Sequence, residues 1–224
     1  MKEAGQKFIN FLKEINETNS NYVIFRGFLT LPEKPDTDID MTVSLDDFNK
    51  VSDVGLKHFV KKPELCDFLN YGHGEWCDML YHPFFTSHKS EKYLPGRGLF
   101  RIDTYNSFYF RSPYNNFKSF WTLPKKFNDL VLETKIRVDL EDTYYYIPNP
   151  ECEIILLLLR QLDKNKSRAG NYQPKHIDRI NNIFNNVDKN KFIEYLLMLL
   201  PNAEAIYDSF KNKNFPNTIK LMLG

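Results

Sequence analysis

Phe8, Phe11, Leu12 and Ile15 recur at helical intervals among lysines and glutamates, so residues 2–17 predict an amphipathic helix with one apolar face. That face has to be covered, and a sheet suits it. Tyr22-Val23-Ile24-Phe25-Arg26 is a β-rich run stopped by Gly27, and Asp38-Ile39-Asp40-Met41-Thr42-Val43 alternates polar with apolar residues as a half-buried strand does. The ten residues between Gly27 and Asp38 include Pro32 and Pro35, which exclude a helical connection. Ser44, followed three residues later by Asp47, resembles a helix start, and Phe48 and Val51 give that helix an apolar side.

Glycines 72, 74, 96 and 98 and prolines 83 and 95 break the chain from 55 to 98 around one strand at Trp76–Tyr81. Leu99–Tyr105 and Phe108–Arg111 read as strands, and the apolar runs Val131–Val138 and Thr143–Ile147 flank the acidic turn 139–142 as a hairpin would. The pattern then changes. Asn149 is a good N-cap, Pro150 suits the first helical position, and Glu151 and Glu153 suit the positive end of a helix dipole, so a helix of about four turns should follow. Apolar residues at 177, 180, 183 and 184, and at 192, 193, 196, 197, 199 and 200, mark further helices. The expected fold is α+β, with a short mixed sheet and flanking helices over 1–147 and a helical subdomain over 148–224.

Composition narrows the partners. Thirty basic residues against 29 acidic ones give the whole chain no pull toward polyanions, so nucleic acid is not implied. The first residues are charged and lack the apolar core of a secretory signal, and Ile154–Leu159 is far shorter than the roughly 20 apolar residues of a membrane span. Cys66, Cys77 and Cys152 have no CxxC spacing, which argues against both a disulfide framework and a zinc ribbon. His73, His82 and His88 near Cys77 match no common zinc spacing either. A soluble protein of the reducing cytoplasm is expected.

The chemistry concentrates in one strand. Side chains at i and i+2 share a face, so Asp38 and Asp40 present two carboxylates together while Ile39 points to the core. Oxygen ligands at that spacing suit Mg²⁺ or Mn²⁺, which commonly complete their shell with water and substrate phosphate. A third acid would allow a two-metal arrangement. Asp103, in Leu99-Phe100-Arg101-Ile102-Asp103-Thr104-Tyr105, is the first choice, with Asp78 and Asp139 in reserve.

Phe25-Arg26-Gly27, followed after ten residues by Asp38-Ile39-Asp40-Met41, resembles the hydrophobic-Gly, spacer, Asp-hydrophobic-Asp signature of the nucleotidyltransferase superfamily, which includes DNA polymerase beta and the minimal nucleotidyltransferases. The later Ile-Asp strand and the proline-led helix near Ile147–Pro150 make it similar also to members associated with polysaccharide-biosynthesis genes. The resemblance implies that Gly27 forms the turn that holds a donor triphosphate, and that Asp38, Asp40 and Asp103 bind Mg²⁺. It further implies transfer of a nucleotidyl group, or of a phospho-alcohol group as in fukutin-type phosphotransferases, from a nucleotide donor to a small-molecule or sugar acceptor. This chain differs in having Phe28 where the family usually has Gly or Ser, and prolines where a helix commonly links the turn to the acids, so side chains such as Arg26, Lys34, Arg160 or Lys164 are expected to hold the donor phosphates instead. Two other readings compete: a metal-dependent glycosyltransferase that grips a nucleotide-sugar through its DxD, and a non-catalytic nucleotide-binding module. Only one helix and one strand precede Asp38, fewer than the nucleotide-binding half that normally precedes a glycosyltransferase DxD.

Overall fold

The computed structural model describes residues 2–31, 39–58, 60–61, 84–86, 101–111, 120–165 and 174–223. The chain divides into two compact units, and the division is not a single cut. Residues 1–107 cluster with 135–147, and residues 108–134 cluster with 148–224, so the segment 108–134 belongs with the C-terminal helices rather than with the first 147 residues.

The first unit begins with helix α1 (Lys2–Glu17), strand β1 (Tyr22–Arg26), strand β2 (Ile39–Val43) and helix α2 (Phe48–His58). Short strands β3 (Val60–Lys61) and β4 (Phe84–Thr86) precede β5 (Arg101–Tyr105). These strands form a mixed sheet in the order β1-β2-β5-β4-β3, in which β2 runs antiparallel to β1 and parallel to β5. All five residues of β2 are buried. Ile39, Met41 and Val43 join Phe8, Phe11, Leu12 and Ile15 of α1 and Phe48, Val51 and Val54 of α2 in one core, which is the apolar stripe meeting the apolar strand face as the periodicity predicts. Ser44 does not open the helix as expected: residues 45–47 form a turn, in which Ser44 Oγ donates to Asp47 Oδ2 at 2.7 Å and accepts from Asp47 N–H at 3.3 Å, and regular helix begins at Phe48 with no acid in its first turn.

Pairing along β1 is regular from Tyr22 opposite Val43 to Ile24 opposite Met41, and then slips by one residue so that Arg26 faces Asp40. The extra residue is Phe25, the signature of a β-bulge.

The second unit holds the hairpin β6 (Tyr109–Arg111) with β7 (Phe120–Thr122) and the helices α3 (Lys125–Glu133), α4 (Pro150–Asn165), α5 (Pro174–Phe184), α6 (Lys189–Leu197), α7 (Ala203–Lys211) and α8 (Phe215–Met222). Helix α3 corrects the strand expected over Val131–Val138. Phe127, Val131 and Leu132 are buried on one helical face, and the strand β8 starts only at Ile136, pairing with β9 (Thr143–Ile147) in the first unit. Asn149 caps α4 as its sequence predicts, its Oδ1 accepting from Cys152 N–H at 2.8 Å while its amide donates to Thr134 Oγ1 at 2.9 Å. Asp188 caps α6 through the N–H groups of Asn190 and Lys191, and its own N–H donates to Glu151 Oε1. Helices α4 and α5 are tied by Arg179, whose Nε and Nη2 donate to the two oxygens of buried Glu153 at 2.7 and 2.9 Å. Cys152 is a buried thiol, pushed up to about 12 mainly by burial. Among the described residues, no helix is long and apolar enough to cross a membrane.

Candidate active site

Strand β2 carries Asp40 on the face opposite the core residues Ile39 and Met41, yet Asp40 is only 4% exposed. A carboxylate that deep needs compensation, because burying an unpaired charge costs several kcal/mol, on the order of 3–5. Arg26 and Tyr105 contribute to it. The guanidinium of Arg26 meets Oδ2 through Nε, and the phenol of Tyr105 donates to Oδ1 at 3.3 Å. Arg26 reaches Asp40 because the bulge at Phe25 brings it opposite that position; in unbroken register Phe25 would stand there. The Phe25 ring instead packs against Tyr105, with centroids 6.0 Å apart and planes at 56°.

Parallel pairing sets Asp103 of β5 opposite Asp40, in the sequence Ile39–Ile102, Asp40–Asp103, Met41–Thr104, Thr42–Tyr105. Register partners lie on one face of a sheet, their backbones about 4.8 Å apart. Positions 40 and 103 are therefore neighbours, and of the acids proposed as third ligand that lie among the described residues, Asp103 is the one whose strand adjoins β2. Asp139 is not: its carboxylate is largely exposed on β8 and paired with Arg137 Nε at 2.8 Å. Asp38 and Asp78 lie outside the described residues, as do Lys34, His73, His82, His88, Cys66 and Cys77. Among the described residues no three His, Cys, Asp or Glu side chains gather to hold a metal.

Gly27 ends β1 with φ 80°, a conformation that only glycine adopts without steric cost. The turn sends Phe28 into the core, where its side chain is buried, and its carbonyl accepts from Tyr145 Oη and from Leu31 N–H, each at 3.4 Å. The bulky residue after the glycine is thus a core residue and not a plug over the turn. Arg160 and Lys164 lie on α4 in the second unit.

Tyr105 and the Arg26–Asp40 pairing are the features that sequence reasoning missed. Tyr105 had a signal: it stands two residues after Asp103 in a predicted strand, hence on the same face. The pairing had none, since it depends on the bulge.

A second polar group in the first unit lies on the β8–β9 hairpin. Lys135 donates to Asn21 Oδ1, and its ammonium sits 4.2 Å from the centroid of Tyr146 and 6.0 Å from that of Tyr22. Burial lowers the Lys135 amine to about 8, against the opposing field of Asp47. Burial likewise raises the Tyr22 phenol.

Compared with known proteins, the chain matches no protein-family model, and no curated protein is similar to it.

Proposed function

We propose that this chain is a divalent-metal-dependent transferase of nucleotidyltransferase type, moving a nucleotidyl or phospho-alcohol group from a nucleotide donor to a small-molecule or sugar acceptor. The observation that carries the reading is the register of β2 on β5, which sets Asp103 beside buried Asp40 two residues after Asp38. Like charges on neighbouring strand positions repel unless cations join them. Arg26 contributes one positive charge to that face, and an all-carboxylate donor set is the kind that hard cations take. The residues fit Mg²⁺ or Mn²⁺ on that chemistry, with Asp38, Asp40 and Asp103 as its ligands.

When bound, the ion would neutralise donor phosphate and stabilise the attacking and leaving oxygens. The chain's own groups have separate tasks. Tyr105 fixes the rotamer of Asp40 through Oδ1. Gly27, free of a side chain at the end of β1, allows phosphate to approach the backbone of the turn, and Arg26 beside it offers a charged donor to the same phosphates. Lys164 is a further cationic candidate for the donor. An acceptor hydroxyl attacks the α-phosphorus, a carboxylate of the acid face takes its proton, and pyrophosphate leaves. A reducing cytoplasmic setting is part of this reading, consistent with a free buried Cys152.

The competing reading favoured by a specific observation is a non-catalytic module, in which Asp40 serves only as the structural partner of Arg26 and Tyr105. Incubation with a panel of nucleoside triphosphates and of UDP-, GDP- and CDP-linked sugars or alcohols, with Mg²⁺ or Mn²⁺, separates the possibilities by product. Pyrophosphate from a triphosphate, or nucleoside monophosphate from a CDP-alcohol, supports the proposal. Nucleoside diphosphate from a nucleotide-sugar replaces it with glycosyl transfer. No product and no calorimetric binding of nucleotide leaves the structural reading.

A further inference from the structure

Arg26 is positioned for two partners. Its guanidinium meets Oδ2 of Asp40, and its backbone precedes the Gly27 turn at the end of β1. The bulge at Phe25 is what makes this possible, because it turns Arg26 toward the acid and leaves it as the last strand residue before the turn. Its side chain is 20% exposed, against 5% for that of Asp40, so one end of the pair is fixed in the sheet and the other reaches solvent. A long cationic side chain of this kind can change partner by rotating about its stem, whereas a short aspartate on a central strand cannot.

Resting on the reading of the acids as metal ligands, we infer that Arg26 is an exchangeable counter-cation, which neutralises Asp40 until a divalent cation joins the acids and then turns to the donor's phosphates at the Gly27 turn. A guanidinium and a dication on one carboxylate repel each other, so the arrival of the ion weakens the Arg26–Asp40 contact. The displaced guanidinium matches the oxygens of a phosphate with paired donors. Metal binding thereby prepares the donor site, and the two ligands bind with positive coupling.

The test uses the whole chain with Mn²⁺ alone, followed by electron paramagnetic resonance, and then inorganic tripolyphosphate with Mn²⁺. Arg26→Gln removes the charge and keeps an amide that can donate to Asp40. It should bind Mn²⁺ about tenfold more tightly than the wild type and Mn²⁺-tripolyphosphate about tenfold more weakly. If the wild type binds Mn²⁺ and loses it in Asp40→Asn, but Arg26→Gln binds Mn²⁺ no more tightly, the exchange is overturned and the metal site stands. Tighter Mn²⁺ with unchanged tripolyphosphate binding also overturns the exchange. No Mn²⁺ binding by any form overturns the metal reading and the exchange together. Should Arg26→Gln fail to fold, the Arg26 Nε–Hε resonance of the wild type, assigned by its loss in Arg26→Lys, should shift on addition of Mg²⁺; a resonance unmoved up to millimolar Mg²⁺ overturns the inference.

Discussion

Each unit of this protein holds an arginine against a buried carboxylate, and the two pairs differ in what surrounds them. Glu153 gives both oxygens to one guanidinium, that of Arg179, and the pair fastens α4 to α5. Asp40 divides its oxygens between Arg26 and Tyr105, and its strand neighbour in register is another aspartate. The burial is similar, 6% for the Glu153 side chain and 5% for that of Asp40. Depth alone therefore does not distinguish a helix tie from an acid proposed to hold a metal ion. The distribution of partners does: a closed bidentate pair saturates its acid, whereas a carboxylate beside a second acid calls for additional positive charge.

The sharpest way to break this comparison is to neutralise one partner of each pair in turn. Asp40→Asn should lower turnover about a thousandfold, roughly 4 kcal/mol of barrier, with a thermal midpoint close to that of the wild type. Full activity in that variant would reduce Asp40 to a structural residue. Arg179→Met should do the reverse, costing about 3–5 kcal/mol in urea unfolding because Glu153 is left buried and unpaired, while Mn²⁺ affinity of the folded protein stays within about twofold. Loss of Mn²⁺ binding there would join the two pairs into one system.

Smaller effects sharpen the contrast. Asn149→Ala, on the same helix as Glu153, should cost about 1–2 kcal/mol of stability through the lost cap and the Thr134 contact, with metal affinity unchanged. The smallest effect concerns Lys135, a cation of the first unit outside the acid strand. Its folded amine loses the proton near 8 and the unfolded amine near 10.5, so the unfolded state binds more protons in that window and stability rises with pH across it. From pH 8 to 9.5 the gain should be about 1 kcal/mol after solvent screening, and Lys135→Met should abolish it. Above 10 the buried Tyr22 phenol acts in the opposite direction, because the unfolded chain releases that proton first. A flat urea midpoint from pH 8 to 9.5 in the wild type would contradict the desolvated amine.

Elements with a strong period or an explicit cap were legible along the chain. Helix α1, strand β2 and the start of α4 follow from residues a few positions apart, namely the apolar stripe from Phe8 to Ile15, the alternation from Asp38 to Val43, and Asn149-Pro150 with its acidic first turn. Val131 and Leu132 misled for a reason of the same kind. A short apolar run carries no period of its own, and only with Phe127 one turn earlier, buried on the same face, does the helix become the better solution. For the site, the spacing of Asp38 and Asp40 and the strand that holds Asp103 could be read directly, whereas the partners of Asp40 could not.

The division has a physical cause. Helix stripes, caps and the i, i+2 spacing of acids in a strand are local properties, set by backbone geometry within a few residues, and the amino-acid sequence determines them by itself. Which acid faces Asp40, and whether an arginine reaches it, are matters of register between segments far apart in the chain, and register is decided when the apolar faces of β1, β2 and β5 settle against the helices. That settlement put Asp103 beside Asp40, inserted Phe25 as a bulge so that Arg26 could pair with the acid, and drew Phe28 into the core away from the Gly27 turn.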